Sequence, residues 1–203
     1  MYGGPEETAS APLWVAVDTR YPNRLFGQAV KAGALREFAE YREVEPEYWY
    51  DRLSPWKEES LRADGQGSAS RSRPVRNHES VRSRMDFFLT SGGTAGGSPG
   101  LVEVKSVTLC RGGVGLFPDA PTDRGVRHLR ELARAADYGY RSFGVFIAQR
   151  PDVEVVMPNR ETDPAFADAM KEAQERGVTF LGFRCSVIPT EIRLDPRPIP
   201  VVA

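Results

Sequence analysis

The run Ser142-Phe143-Gly144-Val145-Phe146-Ile147-Ala148 constrains the fold of this chain more than any other stretch. From Phe143 onward it offers no polar position, so a strand built from it must be covered on both faces. A sheet with helices above and below provides that cover. Helices for both layers are legible. Thr122 or Asp123 caps one whose stripe Val126, Leu129, Leu132, Ala133 and Ala136 repeats every three to four residues. Residues 163–176 form a second, with Phe166, Ala169, Met170 and Ala173 inward and Gly177 at its end. Leu25, Phe26, Ala29 and Val30 mark a third, which Asn23 would cap and Gly33 would end.

Further strands are expected at Leu13–Thr19, at Glu47–Tyr50 on a sheet edge where Pro46 is tolerated, and at Val178–Cys185, with a short segment at Val153–Met157. The fold class is therefore α/β, with a mixed central sheet flanked by helices. The length of 203 residues suits one domain over 13–203 behind a mobile tail at 1–12. Periodicity is lost between Asp51 and Ser80, where Gly65 to Pro74 is poor in apolar residues, so 51–80 reads as a disordered insertion. Its distal end is basic: Arg71, Arg73, Arg76, Arg82 and Arg84 lead up to the next strand and could hold phosphates.

Leu101-Val102-Glu103-Val104-Lys105-Ser106-Val107-Thr108-Leu109 alternates with the period of a strand packed on one face and free on the other. Alternation sets Glu103 and Lys105 side by side on the free face, with Val102 and Val104 in the core. Upstream, Arg84-Met85-Asp86-Phe87-Phe88-Leu89 is an apolar strand with one acid. The Gly-rich turn between them makes the two strands antiparallel neighbours and could bring Asp86, Glu103 and Lys105 together. Two acids and a lysine so placed suit phosphodiester hydrolysis: Asp86, Glu103 and the Val104 carbonyl as hard oxygen ligands for Mg²⁺, with Mn²⁺ as a substitute, and Lys105 to orient hydroxide or neutralise the phosphate. The plain alternative is a solvated charge pair worth under about 1 kcal/mol.

After Leu109, the stretch Arg111 to Pro121 reads as irregular. Asp119, Arg124 and His128 gather around the following helix start, where free N–H groups favour an anion. Arg124 and His128 are candidate phosphate contacts; a helix-start salt bridge and a half-buried packing histidine are the plain alternatives. Arg127, Arg130 and Arg134 suit a solvated face, and Gln149 is either a polar strand end or a further site contact. Composition excludes other classes. With 27 Lys and Arg against 28 Asp and Glu, the formal charge of −1 gives no global field toward nucleic acid or membrane, so polyanion contacts must be local. No apolar run spans a bilayer and no leader pattern opens the chain, so a cytoplasmic or other intracellular soluble compartment is expected. Cys110 and Cys185 are far apart and support neither zinc nor redox chemistry.

The runs Arg82 to Leu89, Val102 to Leu109 and Phe117 to Leu132 closely resemble the sugar fermentation stimulation protein (SfsA) family. The likeness extends upstream through Val17-Asp18-Thr19 and Pro22-Asn23-Arg24-Leu25, and downstream through Gln149-Arg150-Pro151-Asp152, Pro158-Asn159, Asp163-Pro164 and Gly177-Val178. It implies a restriction-endonuclease-like PD-(D/E)xK core and a DNA-binding role linked to sugar metabolism. By this resemblance the Ser-Arg-x-Asp-Phe motif falls on Ser83, Arg84, Asp86 and Phe87, and the Glu-Val-Lys motif on Glu103, Val104 and Lys105. The Phe-Pro-Asp-Ala-x-Thr-x-Arg-Gly motif falls on Phe117 to Gly125, with Pro121 where the family usually has Val. A family glutamate falls on Glu47 if 51–80 is inserted, and Gln28 stands where a carboxylate is often seen. The OB-like domain that usually opens family members has no counterpart, which implies a truncated form or an incomplete gene model. DNA is the expected partner and a membrane is not; a homodimer is left open. The competing function is a non-catalytic DNA-binding regulator of sugar metabolism genes.

Overall fold

A computed structural model of the chain describes residues 12–50, 83–92 and 97–203. The tail at 1–11, the expected insertion with its arginines 71, 73 and 76, and Arg82 lie outside the described residues. In chain order the elements are α1 (Tyr21–Lys31), a 3₁₀ turn (Arg36–Phe38), β1 (Glu43–Tyr50), β2 (Ser83–Thr90), β3 (Gly100–Val107), β4 (Leu109–Arg111) and β5 (Val114–Phe117). They continue with α2 (Asp123–Asp137), β6 (Arg141–Ala148), β7 (Val155–Pro158), α3 (Pro164–Glu175), β8 (Thr179–Ile188) and β9 (Glu191–Leu194).

Six strands form the main sheet in the order β1-β2-β3-β6-β8-β9, and β4-β5-β7 form a smaller one. In the main sheet β3, β6 and β8 are parallel and the outer pairings antiparallel, so the sheet is mixed as expected. β6 is central and its residues Ser142 to Ala148 are all buried. Two apolar layers cover the sheet. Phe26 and Val30 of α1 pack with Phe87, Leu89, Val102, Val104, Phe143 and Val145 on one face. Leu129 and Leu132 of α2 and Phe166 and Met170 of α3 pack with Leu101, Val107 and Phe146 on the other. Thr122 caps α2 by accepting from Gly125 N at 2.9 Å, and Asp163 caps α3 by accepting from Phe166 N at 2.9 Å.

Several expectations are corrected. Residues 13–19 are not a strand despite their β-branched composition: Ala16 N donates to Gln149 O at 3.0 Å and no ladder extends from that bond. Propensity without a pairing neighbour does not make a strand. Asn23 does not cap α1. The capping position is Arg20, which makes no side-chain cap bond, and Asn23 lies inside the helix. The run 101–109 is broken at Thr108 into β3 and β4. The segment 111–121 is not irregular throughout, since β4 and β5 form a hairpin across Gly112 and Gly113, whose φ values of 56° and 83° suit the tight turn that glycine pairs favour. The last strand runs three residues past Cys185 and turns back as β9.

Candidate functional site

Regular pairing of β2 with β3 runs from Leu89↔Gly100 to Phe87↔Val102 and stops there. Beyond it the strands part, and the side chain of Asp86 enters the gap: Val104 N donates to Asp86 Oδ2 at 2.8 Å. On its other side the β1–β2 ladder skips one position, Glu47 opposite Asp86, where Glu47 has φ of 55°. Both strands change phase at this point. Phe87 and Leu89 pack in the α1 layer but Met85 in the α2 layer; on β1, Val44 packs in the α1 layer and Tyr48 in the α2 layer. A regular strand would keep residues two apart on one face, so the irregularity re-aims Asp86 toward β3, as bulges near functional sites do.

Asp86 is held from a second direction. Asn23 Nδ2, from the first turn of α1, donates to Asp86 Oδ1 at 2.8 Å. Local sequence assigns Asn23 to a helix cap; the fold gives it to a carboxylate 63 residues away. Gln28, farther along α1, is exposed.

Glu103 and Lys105 share a face, as alternation requires, but that face is not free. The α2 layer covers it, and Glu103 is 4% exposed. Its Oε1 accepts from Lys105 Nζ at 2.7 Å and from His128 Nδ1, while Oε2 is buried with no partner. His128, also 4% exposed, is thus the α2 side chain that reaches Glu103, whereas Arg124, one turn earlier, is exposed. The surface-contact expectation for these two residues separates: Arg124 is open to solvent and His128 is packed inside. Arg84 is exposed and lies 3.6 Å from Glu47 in an ion pair between surface groups. Gln149, fully buried at the end of β6, donates to Ser106 Oγ at 2.8 Å and to Asp18 O at 3.2 Å, tying the 13–19 segment to β3 next to Lys105.

The two carboxyls titrate in opposite directions. Burial, reinforced by the charge of Glu103, pushes Asp86 above the ordinary aspartate value, against the bonds from Val104 and Asn23 and the charge of Lys105. For Glu103, burial works upward, but Lys105 and His128 together outweigh it and hold the group below the ordinary glutamate value. Because folding raises the Asp86 value, the folded chain binds this proton more tightly than the unfolded chain. Its contribution to stability therefore falls as pH rises from the ordinary aspartate value through the raised one. Glu103 has the other sign: its contribution is present above the ordinary glutamate value and is lost as pH falls through the lowered one. Asp86→Asn removes the first effect. The new amide oxygen can accept from Val104 N, and a flipped Asn23 amide can accept from its nitrogen. In urea melts, the stability of Asp86→Asn relative to the unsubstituted chain should rise with pH across that interval; a pH-independent difference refutes the assignment.

The family model described as "Sugar fermentation stimulation protein RE domain" matches residues 56–191. A protein named sugar fermentation stimulation protein homolog from Moorella thermoacetica is 41% identical over 181 residues, covering 89% of this chain and 64% of the relative. One of the same name from Desulforamulus reducens is 38% identical over 189 residues, covering 93% and 64% respectively. This chain thus spans 64% of the length of both. The solved structure of Pyrococcus furiosus SfsA in complex with Ca²⁺ superposes with a TM-score of 0.69 at 26% identity, over 93% of this chain and 67% of that one.

Proposed function

Because this chain belongs to the sugar fermentation stimulation protein family, we propose that the gap between β2 and β3 is a metal-dependent phosphodiesterase centre of the restriction-endonuclease-like, PD-(D/E)xK type, acting on DNA. The observation that carries this reading is the insertion of Asp86 into the gap beside Val104, between Glu103 and Lys105 on the neighbouring strand. The donor set fits a hard cation. Asp86, Glu103 and the Val104 carbonyl are all oxygen ligands, and the buried, unpartnered Oε2 of Glu103 is an acceptor that a cation would satisfy. Among the described residues no group of three or more His, Cys, Asp and Glu gathers for a metal. Two carboxylates suit Mg²⁺ or Mn²⁺, ions of oxygen-rich sites, of which Mg²⁺ retains several waters. The Ca²⁺ complexed by the Pyrococcus furiosus protein has the same oxygen preference.

A bound cation supplies charge neutralisation and makes a coordinated water more acidic. The chain's own groups do the rest. Asp86 and Glu103 bind it, with Asn23 and Val104 N holding Asp86 in place. Lys105 Nζ, beside Glu103 Oε1, orients the attacking oxygen and offsets charge that develops on the phosphate. Exposed Arg84 and Arg124 hold flanking phosphates, an interaction that weakens with salt.

The test is cleavage of single- and double-stranded DNA in Mg²⁺ or Mn²⁺ by the unsubstituted chain, Glu103→Ala and Lys105→Ala. Cleavage unchanged in both variants sinks the reading. The commitment of Lys105 to Glu103 favours one rival, a DNA-binding regulator without catalysis. It predicts salt-sensitive DNA binding with no cleavage in either metal. On the catalytic reading, Asn23→Ala should weaken Ca²⁺ affinity by about tenfold, as losing a partner of a metal ligand does. Calorimetric titration showing unchanged affinity would remove Asn23 from the site.

A further inference from the structure

Resting on the cation site proposed above, we infer that His128 is a positioning residue that fixes which oxygen of Glu103 is open to the cation. Glu103 brings two oxygens into a buried space, and their use is unequal. Oε1 accepts from both Lys105 and His128, while Oε2 has no partner. A carboxylate only accepts, so the proton between the two residues is on His128 Nδ1. The terminal torsion of a glutamate is broad and nearly two-fold, so without a fixed donor either oxygen could take either role.

Lys105 is a poor candidate for that fixed donor, because a lysine ammonium sits on a flexible stem and attracts as a point charge. His128 has the opposite character. Its ring is short-tethered and buried, on a helix that also buries Val126, Leu129 and Leu132. α2 is anchored at its start by the Thr122 cap, and Thr122 N in turn donates to Asp163 Oδ2 at 2.9 Å. The orientation of Glu103 is therefore set from α2, on the opposite face of the sheet from α1, whose Asn23 sets Asp86. Each carboxylate takes its aim from a different helix layer. The sequence pattern places His128 beside Arg124 as a phosphate contact; burial gives it this other work.

The experiment is calorimetric titration of the whole chain with Ca²⁺ alone, alongside thermal melts. His128→Phe keeps ring volume without the donor, and His128→Asn keeps a donor near the Nδ1 position. His128→Phe should weaken Ca²⁺ affinity by about 10- to 100-fold, and His128→Asn should retain most of it. In a Glu103→Gln background, His128→Phe should cause no further loss. Affinity unchanged in a folded His128→Phe overturns the inference, as does an Asn variant as weak as the Phe variant or an undiminished effect in the Glu103→Gln background. Failure of the underlying site looks different: the unsubstituted chain then binds no Ca²⁺, or binds it equally well after Glu103→Gln.

Discussion

Glu103→Ala should abolish measurable Ca²⁺ binding and lower any Mg²⁺- or Mn²⁺-dependent DNA cleavage by about 10³-fold, the scale on which removing a group that stabilises transition-state charge acts. The substitution removes a ligand and also the acceptor that Lys105 and His128 share. Breaking a buried pair by deleting one partner costs about 3–5 kcal/mol when the survivor is stranded. Lys105 is not fully stranded, because its charge also acts on Asp86, and Asp86 is relieved of the repulsion from Glu103. The stability loss in urea should therefore fall below that range. Full cleavage by a folded Glu103→Ala protein would place the chemistry elsewhere. Loss of activity with stability lowered beyond the range would mean that Glu103 chiefly holds the fold.

Phe26→Ala should be the most damaging single core change near the site, at about 3–5 kcal/mol, or about 2–4 °C in melting temperature for each kcal/mol. Phe26 is fully buried and anchors α1 to the sheet, meeting Phe38 edge-on at 5.0 Å between ring centroids and Phe87 at 5.2 Å. Asn23 lies one turn earlier on the same helix, so a loosened α1 also loosens its hold on Asp86. Phe166→Ala is the matched change in the other helix layer. Phe166 is equally buried, packs on Phe117 at 5.1 Å and belongs to the opposite layer. Both variants should lose similar stability, and at temperatures where both are folded each should weaken Ca²⁺ affinity, Phe26→Ala through Asn23 and Asp86, and Phe166→Ala through the start of α2 and Glu103. Ca²⁺ affinity unchanged from the unsubstituted chain in a folded Phe26→Ala would show that α1 does not transmit its position to Asp86.

The residues of the site are legible in the sequence to different depths. Asp86, Glu103 and Lys105 stand out because each is charged in an apolar strand pattern, and antiparallel pairing of their strands follows from the glycine-rich turn. Asn23 is hidden, since an Asn near a helix start has a sufficient local explanation as a cap. His128 draws notice for the wrong neighbourhood. Helical spacing places it one turn from Arg124, but spacing carries no information about which turn the sheet covers. The supposed free face of Glu103 and Lys105 fails for a related reason: a strand of mixed pattern can be covered on both sides when its polar groups pair with one another inside.

The sequence by itself determined the layered α/β plan, the burial of β6 on both faces, the stripes that helices 2 and 3 bury, and the kinship of the chain, because these follow from short-range periodicity and motif spacing. Tertiary structure alone decided the aim of the carboxyls. The phase change at Glu47 and Asp86, the donation from Asn23 and the burial of Glu103 against His128 all join residues distant in sequence. Such contacts arise where two helix layers close on a splayed pair of strands, and no local pattern records which polar groups will meet there.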